Sequence, residues 1–125
     1  MPGVAQLLDY LDEHGIPYAL GSASKNAPLI LKKVGLYERF KAIVDGNDVT
    51  KAKPDPEVFL LGAKKLNLEP EQCIVVEDAI AGVQAANSAG MTSIGIGKQE
   101  VLHEADHVFA DMTGFTTDFL ENLMN

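Results

Sequence analysis

The sequence predicts an α/β protein, a three-layer Rossmann-like sandwich built on a parallel sheet. Two observations carry this expectation. Short apolar runs rich in branched residues recur along the chain, and helical or mixed segments alternate with them. Alternation of this kind means parallel strands joined by right-handed crossovers, with helices on both faces of the sheet. Strands covered on both faces are apolar at every position, as these runs are.

Each element has its own signal. Residues 3–14 carry Val4, Leu7, Leu8 and Leu11 at helical spacing, with Asp9, Asp12 and Glu13 on the other side, and Gly15 stops the helix. "IPYALGS" reads as a strand over about 17–21. "SKNAPLILKKVGL" reads as a helix from about residue 25, with Pro28 in its first turn and Gly35 as its stop. "AIVDG" (42–46) is the second strand. Asp55 as N-cap and Pro56 at the first helical position begin a helix over about 56–66. "CIVVE" (73–77) is the third strand, followed by a small-residue helix over 79–89 that ends at Gly90. "TSIGI" (92–96) and "HVFA" (107–110) are the fourth and fifth strands, and residues 116–124 form a terminal helix.

Bulk properties narrow the function classes. With 125 residues the chain is long enough for one domain with a core. The net charge of −8 repels a polyanion, which argues against nucleic acid as a partner. No apolar run approaches the ~20 residues that span a bilayer, and Met1-Pro2-Gly3 does not open a signal peptide. The single cysteine, Cys73, excludes an internal disulfide and fits a cytoplasmic setting.

In parallel α/β sheets ligands bind at the carboxyl ends of the strands. Three polar stations fall there. Ser22 follows the first strand and opens "SASKN", where a hydroxyl, the N–H groups of a helix start, Lys25 and Asn26 suit an anion. Taken alone, Ser22 or Ser24 reads first as a helix cap, since serine is a common one. Lys53 lies in "KAKPDP" after the second strand. Pro54 restricts its backbone, which favours it over Lys51, although a single loop lysine is ordinarily a solvated one. Glu77 and Asp78 follow the third strand. A helix N-cap role accounts for Asp78 and leaves Glu77 unexplained. Two adjacent carboxylates at a strand end call for a cation, and Mg²⁺ suits one or two carboxylates with water and phosphate. Together the stations describe a phosphate held by Ser22 and Lys53 and bridged by Mg²⁺ to Glu77 or Asp78.

"GSASKN", "KAKPDPEVF" and "VVEDAIAGVQAANSAGM" resemble the second, third and fourth motifs of the haloacid dehalogenase superfamily, and within it the β-phosphoglucomutase subgroup. The resemblance extends over nearly the whole chain. It implies an isomerase or hydrolase of carbohydrate metabolism that performs Mg²⁺-dependent phosphoryl transfer on a sugar phosphate. Ser22 and Lys53 would be catalytic, binding and neutralising the transferring group, and Glu77 and Asp78 would hold the metal. Ala23, Ser24, Lys25 and Asn26 would lie where the subgroup binds a second phosphate. Sugar-phosphate phosphatases of the same superfamily and a non-catalytic phosphate- or metal-binding module are the alternatives.

One departure from the pattern has consequences. The family's first motif, Asp-x-Asp after an N-terminal strand, supplies the nucleophile, and no such pair occurs in this sequence. The helical cap that follows that motif is missing too. The resemblance thus implies that residues 1–125 form the C-terminal half of a core domain, inactive alone and lacking one central strand. The strands ending at Ser22 and Glu77 would then have open edges, which are costly to leave unpaired. The missing N-terminal half, or self-association, would cover them.

Other readings are weaker. His14, His103 and His107 fall at a helix end, in a connection and at a strand start, away from the proposed site. "GIGKQE" lacks a full G-x-G-x-x-G pattern, which argues against a dinucleotide, while Lys98 within it would stand near the site rim. A receiver-like signalling domain would need Asp45 as acceptor, and its neighbourhood lacks an acid cluster.

Overall fold

The computed structural model describes residues 4–21, 40–112 and 117–124. The helix expected from about residue 25, and with it Ser22, Ala23, Ser24, Lys25 and Asn26, lies outside these residues. The described elements are α1 (Val4–Glu13), β1 (Ala19–Gly21), β2 (Ala42–Val44), α2 (Glu57–Lys65), a 3₁₀ turn (Pro70–Gln72), β3 (Ile74–Glu77), α3 (Ile80–Ser88), β4 (Thr92–Ile96), β5 (His107–Phe109) and α4 (Thr117–Met124). Each helix and strand matches an element expected from the sequence to within two residues at either end, and the 3₁₀ turn is one the sequence reading does not foresee. The N-cap of α2 is Pro56 rather than Asp55, although Asp55 Oδ1 still accepts the Glu57 N–H at 3.0 Å. None of the described helices is long and apolar enough to cross a membrane.

The helices stop where the sequence demands it. Gly15 and Gly90 have φ of 64° and 79°, the left-handed conformation glycine adopts without penalty. After α3, the Gly90 N–H bonds to Asn87 O at 3.1 Å and the Met91 N–H to Ala86 O at 3.1 Å. This pair of bonds satisfies the last carbonyls of the helix and turns the chain into β4. Asn67, with φ of 60°, serves the same purpose after α2, where the Leu68 N–H bonds to Ala63 O at 3.0 Å.

All strand pairs are parallel. They fall into a two-stranded sheet, β1-β2, and a three-stranded sheet ordered β3-β4-β5. Helices cover both faces. On one, Ala63 of α2 and Ala86 of α3 pack with Val75, Ala89 and Met91. On the other, Leu7 and Leu11 of α1 and Leu120 of α4 pack with Ile74, Ile94 and Ile96. The result is three layers, with α2 packed against β1, β2 and α3.

Ser93 is fully buried in β4, and its polar groups are satisfied. Its N–H donates to Asp106 Oδ2 at 2.8 Å, its hydroxyl bonds to Asn87 Oδ1 at 2.7 Å, and the Asp106 N–H donates to its Oγ at 3.0 Å. This network ties α3 and β4 to the chain entering β5.

Candidate active site

The third strand ends on Glu77, and the loop between β2 and α2 brings Lys53 to it. Lys53 Nζ donates to Glu77 Oε2 at 2.7 Å, with the two side chains only 18% and 11% exposed. An ion pair this sheltered is screened little by salt, and its short charge-assisted bond restricts both partners. The ammonium also lies 5.1 Å from the centroid of the Phe59 ring, a cation–π contact that fixes it from a second side. The acid for which the sequence offers no neighbouring base is thus met by a lysine 24 residues earlier.

The surroundings hold Glu77 as firmly. Its Oε1 accepts the Asp78 N–H at 3.1 Å. Its side chain folds over the first turn of α3, where a Cβ at position 82 would overlap the carboxylate; Gly82 leaves the room. The short approach requires glycine here, despite glycine's cost inside a helix.

The lysine loop is built to present Lys53. Thr50 donates its backbone N–H and, at 2.8 Å, its hydroxyl to the Glu57 carboxylate. These bonds hold the Glu57 carboxyl below its ordinary pKa. Inside that clasp the Asp55 N–H bonds to Ala52 O at 3.1 Å, and the Lys53–Pro54 peptide is cis. Lys51, the other lysine of the loop, is exposed and acts on Glu57 rather than on Glu77.

Asp78 is exposed and stands one residue before the N-cap of α3, which is Ala79 and has no side-chain cap. The capping role that would account for Asp78 is therefore not the one it plays. One ammonium against two carboxylates leaves this strand end negative. Among the described residues no group of three or more His, Cys, Asp or Glu is placed to hold a metal, so the donors here are a pair. A pair fits Mg²⁺, which takes one or two carboxylates and completes its octahedron with water and substrate phosphate.

The first strand ends beside the same loop. A Cβ at Gly21 would stand 3.2 Å from Val58 Cγ2 and 3.3 Å from Phe59 Cε1. Phe59 therefore touches both the end of β1 and the ammonium that reaches the end of β3, so both carboxyl ends open on one side of the molecule. Ser22 to Asn26 begin immediately after β1 and lie outside the described residues.

The remaining candidates are not part of the Lys53–Glu77 pair. The Asp45 carboxylate is buried in a turn, accepting the Asn47 N–H at 2.8 Å, which removes it as a receiver-type acceptor. Lys98 is exposed on the turn after β4. His14 stacks on Tyr10, and His107 meets Phe119 edge to face. Cys73 is half-buried, and desolvation followed by the nearby Glu71 charge pushes its thiol pKa up.

Sequence reasoning missed Phe59, Gly82, Thr50 and Glu57, the residues that position the pair. Gly82 alone had a signal, a glycine five residues after the acid inside a helical segment.

Comparison with known proteins places this arrangement in a wider group. The haloacid dehalogenase-like hydrolase family profile matches residues 1–90. The chain is 39% identical over 120 residues to the β-phosphoglucomutase of Bacillus subtilis (strain 168), covering 96% of this chain and 53% of that protein. Against the fructose-1-phosphate phosphatase of Escherichia coli (strain K12), identity is 40% over 82 residues, 64% of this chain and 44% of the other. The crystal structure of β-phosphoglucomutase from Clostridium difficile superposes with a TM-score of 0.95 at 38% identity, over 100% of this chain and 56% of that one. The chain spans about half the length of the relatives it matches.

Proposed function

Because this chain belongs to the haloacid dehalogenase-like hydrolase family, in its β-phosphoglucomutase subgroup, we propose that it supplies half of the active site of a Mg²⁺-dependent phosphotransferase acting on a sugar phosphate. The full-length form would interconvert β-glucose 1-phosphate and glucose 6-phosphate. The observation that carries this reading is the meeting of Lys53, Glu77 and Asp78 at the carboxyl end of one parallel strand.

Each residue has a task that its position suits. Lys53, anchored by Glu77 and Phe59, offers the remaining N–H bonds of its ammonium to phosphoryl oxygens. Ser22 would add a hydroxyl at the end of β1, and Ala23, Ser24, Lys25 and Asn26 would receive the substrate's other phosphate. Glu77 and Asp78 would hold Mg²⁺, which when bound neutralises charge on the transferring group. Positioning and charge neutralisation make up most of what a protein contributes to phosphoryl transfer. The nucleophilic carboxylate would come from an N-terminal half, so this chain alone would not turn over substrate.

The resemblance to a fructose-1-phosphate phosphatase supports a second reading, hydrolysis of a sugar phosphate by the same residues. One experiment separates the readings. The upstream half of the Bacillus subtilis mutase is fused to this chain and supplied with β-glucose 1-phosphate and Mg²⁺. Glucose 6-phosphate as product supports the mutase, and inorganic phosphate as product supports the phosphatase. A folded fusion that forms neither product defeats both readings.

A further inference from the structure

One lysine at the carboxyl ends of the strands, Lys98, stands outside the Lys53–Glu77 pair. It follows β4, which lies beside β3 in parallel register with Glu77 opposite Gly95. Asp78 is thus level with Ile96. The Gly97 N–H still bonds to Phe109 O at 2.8 Å, so the chain keeps to the edge of β5 up to the residue before Lys98. Neighbouring strands lie about 4.8 Å apart and rise about 3.3 Å per residue, which puts the backbone of Lys98 about 10 Å from that of Asp78.

The backbone there is well anchored. Lys98 O accepts the Val101 and Leu102 N–H groups at 3.0 and 2.9 Å, closing a turn. The chain beyond it is tied to α3: Asn87 Nδ2 donates to Glu104 O at 2.8 Å and Gln84 Nε2 to Glu104 Oε1 at 3.2 Å. The helix that opens after the acid pair therefore also holds the lysine's turn in place.

The side chain, in contrast, is uncommitted. Lys98 is exposed, and among the described residues its ammonium has no hydrogen-bond or ion-pair partner. Glu100, on the same turn, is exposed and does not engage it. The other described lysines differ. Lys53 is held by Glu77, Lys65 bonds to Ile43 O at 3.2 Å, and Lys51 acts on Glu57. Lys41 precedes β2 and Lys64 lies in the last turn of α2, both toward the amino ends of the strands.

We propose that Lys98 is a further cation of the substrate site, drawing phosphate-ester dianions from solution to the end of β3, a role that rests on the phosphoryl-transfer reading. Such a cation answers a specific electrostatic difficulty. The chain carries −8, and the acid pair adds its charge where the ester must arrive. Lys53 is sheltered, and Glu77 cancels much of its field at a distance. An exposed ammonium on a flexible four-carbon stem, with three free donors, meets the ester before Lys53 does. Charges placed in this way act on association and on its salt dependence more than on the chemical step.

The probe is glucose 6-phosphate with Mg²⁺, titrated calorimetrically into the 125-residue chain. Lys98→Gln removes the charge and keeps a polar side chain at an exposed position, so the fold is retained. A unit charge about 10 Å from a dianion near a protein surface is worth about fivefold in binding. Lys98→Gln should weaken binding by that factor at about 0.01 M salt, where charges act over about 30 Å, and should match the parent at about 1 M, where they act over about 3 Å. Lys98→Arg should bind as the parent does. Lys64→Gln, the same loss of charge at the other end of the strands, should change the affinity less than twofold. Equal binding of Lys98→Gln and parent at low salt, a loss that persists at high salt, an equal loss in Lys64→Gln, or no binding by the parent would overturn the role of Lys98. Turnover is not read, so an unaffected Lys98→Gln leaves the phosphoryl-transfer reading to the fusion assay, and an inactive fusion leaves a salt-dependent loss at Lys98 standing.

Discussion

Glycine 82 is the residue on which the geometry of the acid most depends. In an ordinary exposed helix, glycine to alanine gains about 1 kcal/mol. Here the added methyl would meet the Glu77 carboxylate, and overpacking of this kind costs about 1–3 kcal/mol. Gly82→Ala is therefore expected to lower the urea midpoint instead of raising it, and an increased midpoint would show that Glu77 moves freely. Lys53 and Glu77 form the second residue-scale test. Removing one member of a sheltered pair leaves a charge without its partner, a loss of about 3 kcal/mol, whereas replacing both with apolar residues of similar size is near neutral. Lys53→Met should thus destabilise more than the Lys53→Met/Glu77→Leu double variant, as measured by chemical denaturation. The reverse order would mean that the pair in solution is solvated and loose.

At the scale of elements, the lysine loop is fastened by Thr50 and Glu57. Those hydrogen bonds favour the charged carboxylate and depress its folded-state pKa. The clasp's contribution to stability is therefore fully present above the unfolded carboxylate pKa and lost as pH falls through the depressed folded value. Glu57→Gln should lower the urea midpoint at neutral pH, and its difference from the parent should shrink on acidification. A difference independent of pH would assign the loss to something other than charge. The helix stop at Gly90 gives a simpler expectation. With φ of 79°, Gly90→Ala should cost about 1–2 kcal/mol, since a Cβ is disfavoured in that conformation.

These elements were largely legible in the sequence, because uninterrupted apolar runs and glycine stops are local signals. Their ends were less so. Pro17 and Tyr18 read as strand, yet β1 begins at Ala19; proline contributes no N–H to a ladder. "AIVDG" reads as strand to residue 46, yet β2 ends at Val44 because Asp45 turns its carboxylate to the Asn47 N–H. The stations at Lys53 and Glu77 were legible as residues following strands, but their direct pairing was not. It joins loops 24 residues apart, and its supports at Phe59 and Gly82 are matters of close approach that one-dimensional spacing does not encode.

At the scale of the whole molecule, two parallel sheets share a helical layer, and β3 ends on the acid pair that Lys53 meets. The overall charge of −8 opposes the approach of an anionic substrate. In the proposed phosphotransferase the local ammonium and a bound divalent cation would have to offset that field within a few ångströms of the strand ends. Activity of a completed protein should depend steeply on these few charges and little on the rest of the acidic surface. The most direct measurement is turnover of β-glucose 1-phosphate by the fusion with the Bacillus subtilis upstream half, compared with the same fusion carrying Lys53→Ala or Asp78→Asn, each confirmed folded by circular dichroism. Loss of one preorganised charge contact to a transferring group costs about 100-fold or more in turnover, and that is the predicted result for both variants. Turnover within a few-fold of the parent in either folded variant would contradict the assignment of this strand end as the phosphoryl-transfer site.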